Sequence, residues 1–113
     1  MLTREQILGA SDVKREEVKV PEWGGSVLVA VMSGAARDAW ESTLLTDGKP
    51  DLTDARAKLA AACIVDENGQ RLFSPDDVAA LSQRSSVALD RVVRAARKLN
   101  KLGDAEFKDA EKN

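Results

Sequence analysis

The sequence predicts an α+β fold that is mainly α, with one N-terminal β-hairpin packed with four to five helices, the longest near the C-terminus. The first observation is the stretch 17–32, which alternates polar and apolar residues, reverses over 21–25 and continues as an apolar run. The second is that most of the remaining chain repeats apolar residues every three or four positions, as amphipathic helices do. The third is the length of 113 residues, which suits one domain with a modest core. We expect a single domain over 1–103 and a charged C-terminal tail over 104–113.

The chain opens with a pattern typical of a short helix. Thr3 is a suitable N-cap, and Gln6, three residues later, completes a capping box. Gly9 is placed to end the helix. We expect Ile7 and Leu8 to be the side chains that this helix buries.

The apolar run of the hairpin is long for a protein of this size. Because side chains alternate faces along a strand, Val27, Val29 and Val31 point to one side of the sheet. The residues that point to the other side are Leu28, Ala30 and Met32. Two interpretations stay open: this chain's own helices bury the strand, or a partner chain covers one face. Trp23 at the tip is either an exposed anchor for a partner or a tryptophan packed into the turn.

Two helices are predicted after the hairpin. Ser33 caps the first, which runs to about Leu45, and we expect Trp40 to anchor it on the hairpin. A turn over 46–50 leads to the second helix, which Asp51 is placed to cap. The buried stripe predicted for this second helix consists of Leu52, Ala55, Leu59, Ala62 and Cys63.

A tight turn over 66–69 separates these helices from the last two. Its Asn68-Gly69 pair also allows a second, very short hairpin between its flanking apolar pairs. Ser74 then caps a short helix with proline at its first position. The residues that this short helix is expected to bury are Val78 and Leu81.

The longest predicted helix begins at Ser85 or Ser86, runs to about Leu102 and stops at Gly103. Its predicted apolar stripe consists of Leu89, Val92, Val93, Ala96, Leu99 and Leu102. The same helix carries a basic stripe made by Arg91, Arg94, Lys98 and Lys101, with Arg84 and Arg97 nearby. Between residues 84 and 101 there are six bases and one acid. Three interpretations stay open: a solvated face, a surface for an acidic protein partner, or a nucleic-acid surface.

Composition narrows the classes of function. The net charge of −2 disfavours general affinity for nucleic acid. No apolar run approaches the length that spans a bilayer, and the N-terminus lacks the pattern of a signal peptide. A single cysteine makes no internal disulfide, which is typical of a reducing compartment. We therefore expect a cytoplasmic protein that does not bind a membrane.

The sequence offers no group suited to catalysis. It contains no histidine, the commonest general base and metal ligand. Cys63 lies in an apolar run, where burial leaves a thiol inert. The turn at 66–69 lacks the spacing of a calcium loop, and no phosphate loop or nucleophile elbow is present. We predict no catalytic residues, no metal and no cofactor, and interpret the chain as a binding protein rather than an enzyme.

Several segments, in order along nearly the whole chain, resemble the tail assembly chaperones of long-tailed, lambda-like bacteriophages and prophages. The longest are LTREQIL at 2–8, VPEWGGSVLV at 20–29, IVDENG at 64–69 and RLFS at 71–74. Shorter ones lie at 32–34, 37–38, 76–78, 88–91 and 99–100. None of these segments is a catalytic motif, so the resemblance is one of scaffold.

The resemblance implies a defined role in the host cytoplasm. Such chaperones bind the tape measure protein, a long helical chain prone to associate, and bring tail tube subunits to it. They are absent from the mature virion. The residues that we expect to bind a partner are Trp23, Val27, Val29, Val31, Arg91, Arg94 and Lys98. Pairing of hairpin edges between copies would make the chaperone a homo-oligomer. The alternative is a small nucleic-acid-binding regulatory protein that uses the basic C-terminal helix.

Overall fold

The computed structural model describes residues 1–102; it is 47% helical, with 3₁₀ turns included, and 19% strand, with an isolated bridge included. The helices are α1 (Arg4–Leu8), α2 (Gly34–Ser42), α3 (Ala55–Cys63), α4 (Val78–Leu81) and α5 (Ser86–Asn100). The strands are β1 (Arg15–Val20), β2 (Gly25–Ala30), β3 (Leu45–Thr46), β4 (Lys49–Pro50) and β5 (Ile64–Val65). Two 3₁₀ turns lie at Pro21–Trp23 and Pro75–Asp77. The predicted α+β class, the N-terminal hairpin and the longest helix near the C-terminus are confirmed.

The hairpin is part of a three-stranded antiparallel sheet. β1 pairs with β2, with Val18 opposite Val27, and β2 pairs with β5, with Val29 opposite Ile64. The turn folds as a 3₁₀ turn that ends at Gly24, whose φ of 76° is left-handed and therefore favours glycine. β5 coincides with the first apolar pair of the possible second hairpin. Its pairing with β2 was not predicted, because a two-residue segment does not indicate which distant strand it joins.

Helices cover one face of this sheet. The residues of β1, β2 and β5 that share that face join the same core cluster as the buried stripes of α3 and α5. The largest fully buried side chains of the cluster are Ile64, Val20, Val29, Val92 and Cys63. α3 is buried almost all round, and its alanines let α5, α2 and α4 approach it closely.

Four of the five predicted caps form where the sequence places them. Thr3 and Gln6 make a capping box, and Ser33 and Ser85 accept hydrogen bonds from the first turns of α2 and α5. Ser74 forms a capping box with Asp77, in a 3₁₀ turn that continues into α4. Hydrogen bonds between a capping side chain and groups two or three residues later thus form at the N-terminus of most of the helices.

The first two helices differ from prediction in what they contact. Ile7 and Leu8 are exposed, so the expectation that α1 buries them is wrong. Trp40 is buried as expected, but α2 packs chiefly against α3 rather than against the hairpin. The sequence shows that Trp40 has a buried face, but not which element covers it.

The start of α3 also differs from prediction. Asp51 accepts hydrogen bonds from Thr46 and Thr53 in the preceding loop and does not cap the helix. α3 begins only at Ala55, after Asp54 adopts a left-handed φ of 53°. Leu52 therefore precedes the helix and is exposed, so its predicted place in the buried stripe is wrong.

Both short reversals are more regular than the sequence suggested. Asp47 and Gly48 have φ values of 53° and 75° and join β3 to β4 in a two-residue hairpin. The predicted turn at 66–69 forms, with Gly69 at a φ of 82°. An antiparallel bridge between Val65 and Arg71 closes this turn. The strand β5, which contains Val65, pairs along its length with β2.

α5 ends two residues before the predicted boundary. Lys101 adopts a left-handed φ of 48° as its C-cap, and Leu102 turns back into the core. Gly103, the predicted stop, and the charged tail 104–113 lie outside the described residues. The buried stripe of α5 contains Leu89, Val92 and Ala96 as predicted, and also Ala88 and Asn100.

Candidate partner-binding surface

The structure buries the centre of the apolar strand inside this chain. Val29 is fully buried between the sheet and the helices. Val27 and Val31 on the same strand run are half-buried. Of the two interpretations, burial in the chain's own core is therefore correct for Val29, and only its neighbours keep surface that a partner can reach.

On the opposite face of the sheet, Leu28 is half-buried, and Ala30 and Val65 are buried. The turn after β5 approaches it, since a Cβ on Gly69 would lie 3.6 Å from a side-chain nitrogen of Arg15. A groove of about 390 Å³ remains. Its main lining residues are Glu17, Leu28, Val65, Asp66, Glu67 and Leu72. Three of these are acidic, so this groove differs in charge from the basic stripe.

Trp23 lies in the 3₁₀ turn at the hairpin tip, and this turn contacts α5. Its side chain is half-buried and packs against the core cluster. Trp23 is thus a packed turn residue that keeps part of its surface exposed. Its role in binding a partner stays a prediction.

Arg91 of the predicted basic stripe is engaged inside the chain. Its guanidinium donates from Nε and Nη2 to the two carboxylate oxygens of Glu22, at 2.8 and 3.0 Å. The hydrogen bond from Arg91 holds the pKa of Glu22 below its ordinary value of 4.5, and the same contact raises the pKa of Arg91. This two-point contact fixes the hairpin tip on α5.

Arg94 and Lys98 have exposed side chains on the solvent side of α5. Neither side chain has a hydrogen-bond or ion-pair partner within the described part of the chain. They lie on the opposite side of α5 from the buried residues that cover Val27 and Val29. The predicted site residues therefore do not form one continuous surface.

A second apolar surface lies where α2, α3 and α5 meet. We call it the interhelical groove, and it encloses about 230 Å³. Its apolar wall consists of Trp40, Leu44, Leu52, Ala55, Leu59 and Val93. Its polar rim consists of Arg97 and of Arg56, whose Nε lies 2.7 Å from an oxygen of Asp90. The sequence does not indicate this groove, because the apolar spacing places Leu52 inside the buried stripe of a helix.

Cys63 is fully buried, and burial raises the pKa of its thiol to about 12. Residues 1–102 contain no group of three or more acidic, histidine or cysteine side chains able to hold a metal ion. Over the same residues, no helix combines the length and apolar character needed to cross a membrane. What the surface offers is apolar contact and positive charge, which suit noncovalent binding.

Comparison with solved structures shows the same fold in a phage protein. The tail assembly chaperone of bacteriophage HK97 matches with a TM-score of 0.60 over 88% of this chain and 95% of that chain. The two sequences are 24% identical over the match. A comparison with curated proteins gives no match.

Comparison with protein families extends this likeness to the sequence. The model of the phage tail assembly chaperone family matches residues 3–113, which is nearly the whole chain. The family is one of chaperones, which suggests a protein that is not an enzyme. The chain belongs to the phage tail assembly chaperone family.

Proposed function

We propose that this phage tail assembly chaperone binds the tape measure protein in the host cytoplasm and helps to recruit tail tube subunits to it. It acts by binding rather than catalysis, and it is absent from the mature virion. Membership of the family supports a role in tail assembly. The observation that carries the choice of a protein partner is the pair Arg94 and Lys98, exposed on α5 without a side-chain partner in residues 1–102.

Unpaired surface cations favour an acidic partner because complementary charge steers association and suppresses wrong partners. The interhelical groove adds apolar surface on the flank of α5 that carries Val93, and Arg94 lies one helical turn from the groove's lining residues Asp90 and Arg97. A partner that presents apolar and acidic side chains together matches both features. A long helical protein that must be kept from associating through its apolar stripes fits this description.

The test is co-expression of the chain with the tape measure protein encoded beside it, followed by size exclusion with light scattering. We expect a soluble complex that elutes together, whereas the tape measure protein alone is insoluble. Light scattering of the complex gives the ratio of the two chains. Absence of a complex, with the tape measure protein equally soluble alone, would contradict the proposal.

Recruitment of tail tube subunits is tested by adding the tail tube protein to the purified complex. We expect a complex of three components, and no binding of the tube protein to the tape measure protein alone. Mass spectrometry of purified particles tests the remaining point. A stoichiometric amount of the chaperone in mature tails would contradict its proposed absence from the mature virion.

Self-association is a further proposal, supported by the exposed edge of the sheet. β1 lies at the end of the strand order, and no strand within residues 1–102 pairs with its outer side. Such an edge can pair with another copy. Light scattering of the chain alone measures this directly, and a monomer at all concentrations would exclude it.

The nucleic-acid alternative draws on the same basic stripe. Glu22 already pairs with Arg91, so fewer cations remain than the sequence suggested. We propose that nucleic acid is not the partner. Salt-sensitive binding of a DNA or RNA duplex that is lost in Arg94→Glu would contradict this.

A further inference from the structure

We propose that the interhelical groove binds an amphipathic α-helix of a partner protein, with acidic residues beside the helix's apolar stripe. The inference rests on the proposed function only in taking the ligand to be a protein segment. It assigns a binding site to residues that the sequence analysis did not select. It also specifies the chemistry of the partner.

The apolar wall of the groove is open to a ligand. Leu52 is 72% exposed, and Leu44 and Val93 are half-buried beside it. Single exposed apolar residues are ordinary on protein surfaces, but here they adjoin one another around a concave floor formed by Leu59. Burying this wall would remove apolar surface from water without rearranging the core.

The charges around the groove favour an acidic ligand. Arg97 lies on the rim, one helical turn from Val93. Arg94 lies one helical turn from the lining residues Asp90 and Arg97, so this exposed cation lies beside the polar rim. Lys98 follows Arg94 one turn later on the same face of α5. Asp90 is the one acid among the lining residues, and it is held by Arg56. A ligand with acidic residues therefore meets attraction rather than repulsion.

Trp40 supplies an independent observation. Its indole N–H is buried and has no hydrogen-bond partner within the described residues, and its ring lines the groove. A buried donor without an acceptor is costly. The groove therefore adjoins a buried donor that the described residues leave without an acceptor.

The walls of the interhelical groove favour a helical ligand over an extended one. An extended ligand is held by main-chain hydrogen bonds to an open strand edge. The groove is instead formed by side chains of three helices and by Leu44 and Leu52 in the adjoining loops. Such a surface accepts the apolar side chains that recur at every third or fourth position of a helix.

Helix α1 of a second copy of the chain is a less suitable ligand for the interhelical groove. Its apolar residues are exposed, but Arg4 and Glu5 cancel in charge. It therefore lacks the acidic excess that Arg94 and Lys98 favour. Docking of α1 in the groove would appear in the test as self-association.

The test uses two synthetic helical peptides of about 20 residues, each with a leucine stripe. One carries glutamates on the rest of its surface, and its twin carries lysines. Fluorescence anisotropy of the labelled peptides measures their affinities for the full chain. We expect the glutamate peptide to bind at least about tenfold more tightly than the lysine peptide.

Leu52→Gln locates the site, because Leu52 is exposed and the change removes apolar surface from the groove without adding charge. We expect it to weaken binding of the glutamate peptide by about tenfold or more. Leu72→Gln is the matched control, since Leu72 is 53% exposed and lies outside the groove, and it should leave binding within about twofold. Equal affinities for the two peptides, or equal effects of the two substitutions, would overturn the proposal. So would a self-association of the chain that Leu52→Gln abolishes.

The same variants separate this inference from the proposed function. A complex with the tape measure protein that survives Leu52→Gln refutes the groove as the chaperone's site and leaves the proposed function standing. Selective binding of the glutamate peptide without any tape measure complex refutes the proposed function and leaves the groove as a helix-binding site.

Discussion

The side-chain oxygen of Asn100 accepts a hydrogen bond of 2.7 Å from the backbone N–H of Met32, 68 residues earlier in the chain. The side-chain nitrogen of Asn100 donates to the carbonyl oxygen of Ala96 at 2.8 Å and to that of Ala30 at 3.4 Å. Asn100 is only 7% exposed, so these groups make their bonds away from water. One buried amide therefore joins the end of α5 to the end of β2.

Asn100→Ala should lower the free energy of unfolding by about 2 kcal/mol, because it leaves the buried N–H of Met32 without an acceptor. Urea unfolding followed by circular dichroism measures this change. Lys98→Ala, two residues earlier on the exposed side of α5, is the control and should cost less than about 0.5 kcal/mol. Equal effects of the two substitutions would show that the amide does not fasten the two elements.

The helix starts could be predicted because their information is local. Thr3, Ser33 and Ser85 each cap a helix through backbone groups two or three residues away. Turn chemistry is equally local, and the Asp47-Gly48 pair carried a hairpin signal that the sequence analysis interpreted only as a turn. The pattern along the chain is sufficient for such features.

Features that depend on distant residues could not be predicted in the same way. Glu22 and Arg91 are 69 residues apart, and nothing in either neighbourhood indicates that they pair. The exposure of Leu52 depends on Asp54, whose left-handed backbone delays the start of α3. The interhelical groove needs three helices to be placed before it exists. The sequence therefore revealed the basic stripe but not the apolar surface beside it.

Val29 should behave as a core residue rather than as a binding residue. Val29→Ala should lower the free energy of unfolding by about 2 kcal/mol, because it leaves a cavity in a fully buried site. Val31 on the same strand run is half-buried, so Val31→Ala should lower the free energy of unfolding by about half as much. Chemical denaturation distinguishes the two. A Val29→Ala variant of unchanged stability that loses only partner binding would contradict this assignment.

The Glu22–Arg91 pair should make one part of the stability depend on pH. Because Arg91 lowers the pKa of Glu22 in the folded state, the contribution is present above the ordinary value of 4.5 and is lost as the pH falls through the folded pKa. Carbon NMR of the glutamate carboxyls should show Glu22 titrating below 4.5. In Arg91→Gln its pKa should rise towards that value, whereas Arg94→Gln should leave it unchanged. Titration of Glu22 at 4.5 or above in the unmodified chain would show that the pair does not persist in solution.

Cys63 should resist thiol reagents in the folded protein. It is fully buried and its thiol pKa is raised to about 12, so very little thiolate forms near neutral pH. Reaction of the native chain with a disulfide reagent at about pH 8 should be at least about a hundredfold slower than reaction of the urea-unfolded chain. Asn100→Ala should speed this reaction, because it lowers the cost of opening the core around the sulfur. Rapid labelling of the native chain would indicate a more open core than the structure describes.

Arg94 and Lys98 should determine the salt dependence of partner binding. The double substitution of both to glutamine should weaken binding of the tape measure protein by about tenfold at low salt, and the difference should shrink as salt screens the charges. The matched control replaces Lys14 and Lys49, two exposed lysines outside α5, with glutamine and removes the same net charge. Because the tape measure protein alone is expected to be insoluble, dissociation of the co-expressed complexes across a salt series, followed by light scattering, compares the two double variants. If both weaken binding equally, net charge rather than the stripe on α5 attracts the partner. If neither does, the partner binds through apolar contact, and the interhelical groove must then supply the affinity alone.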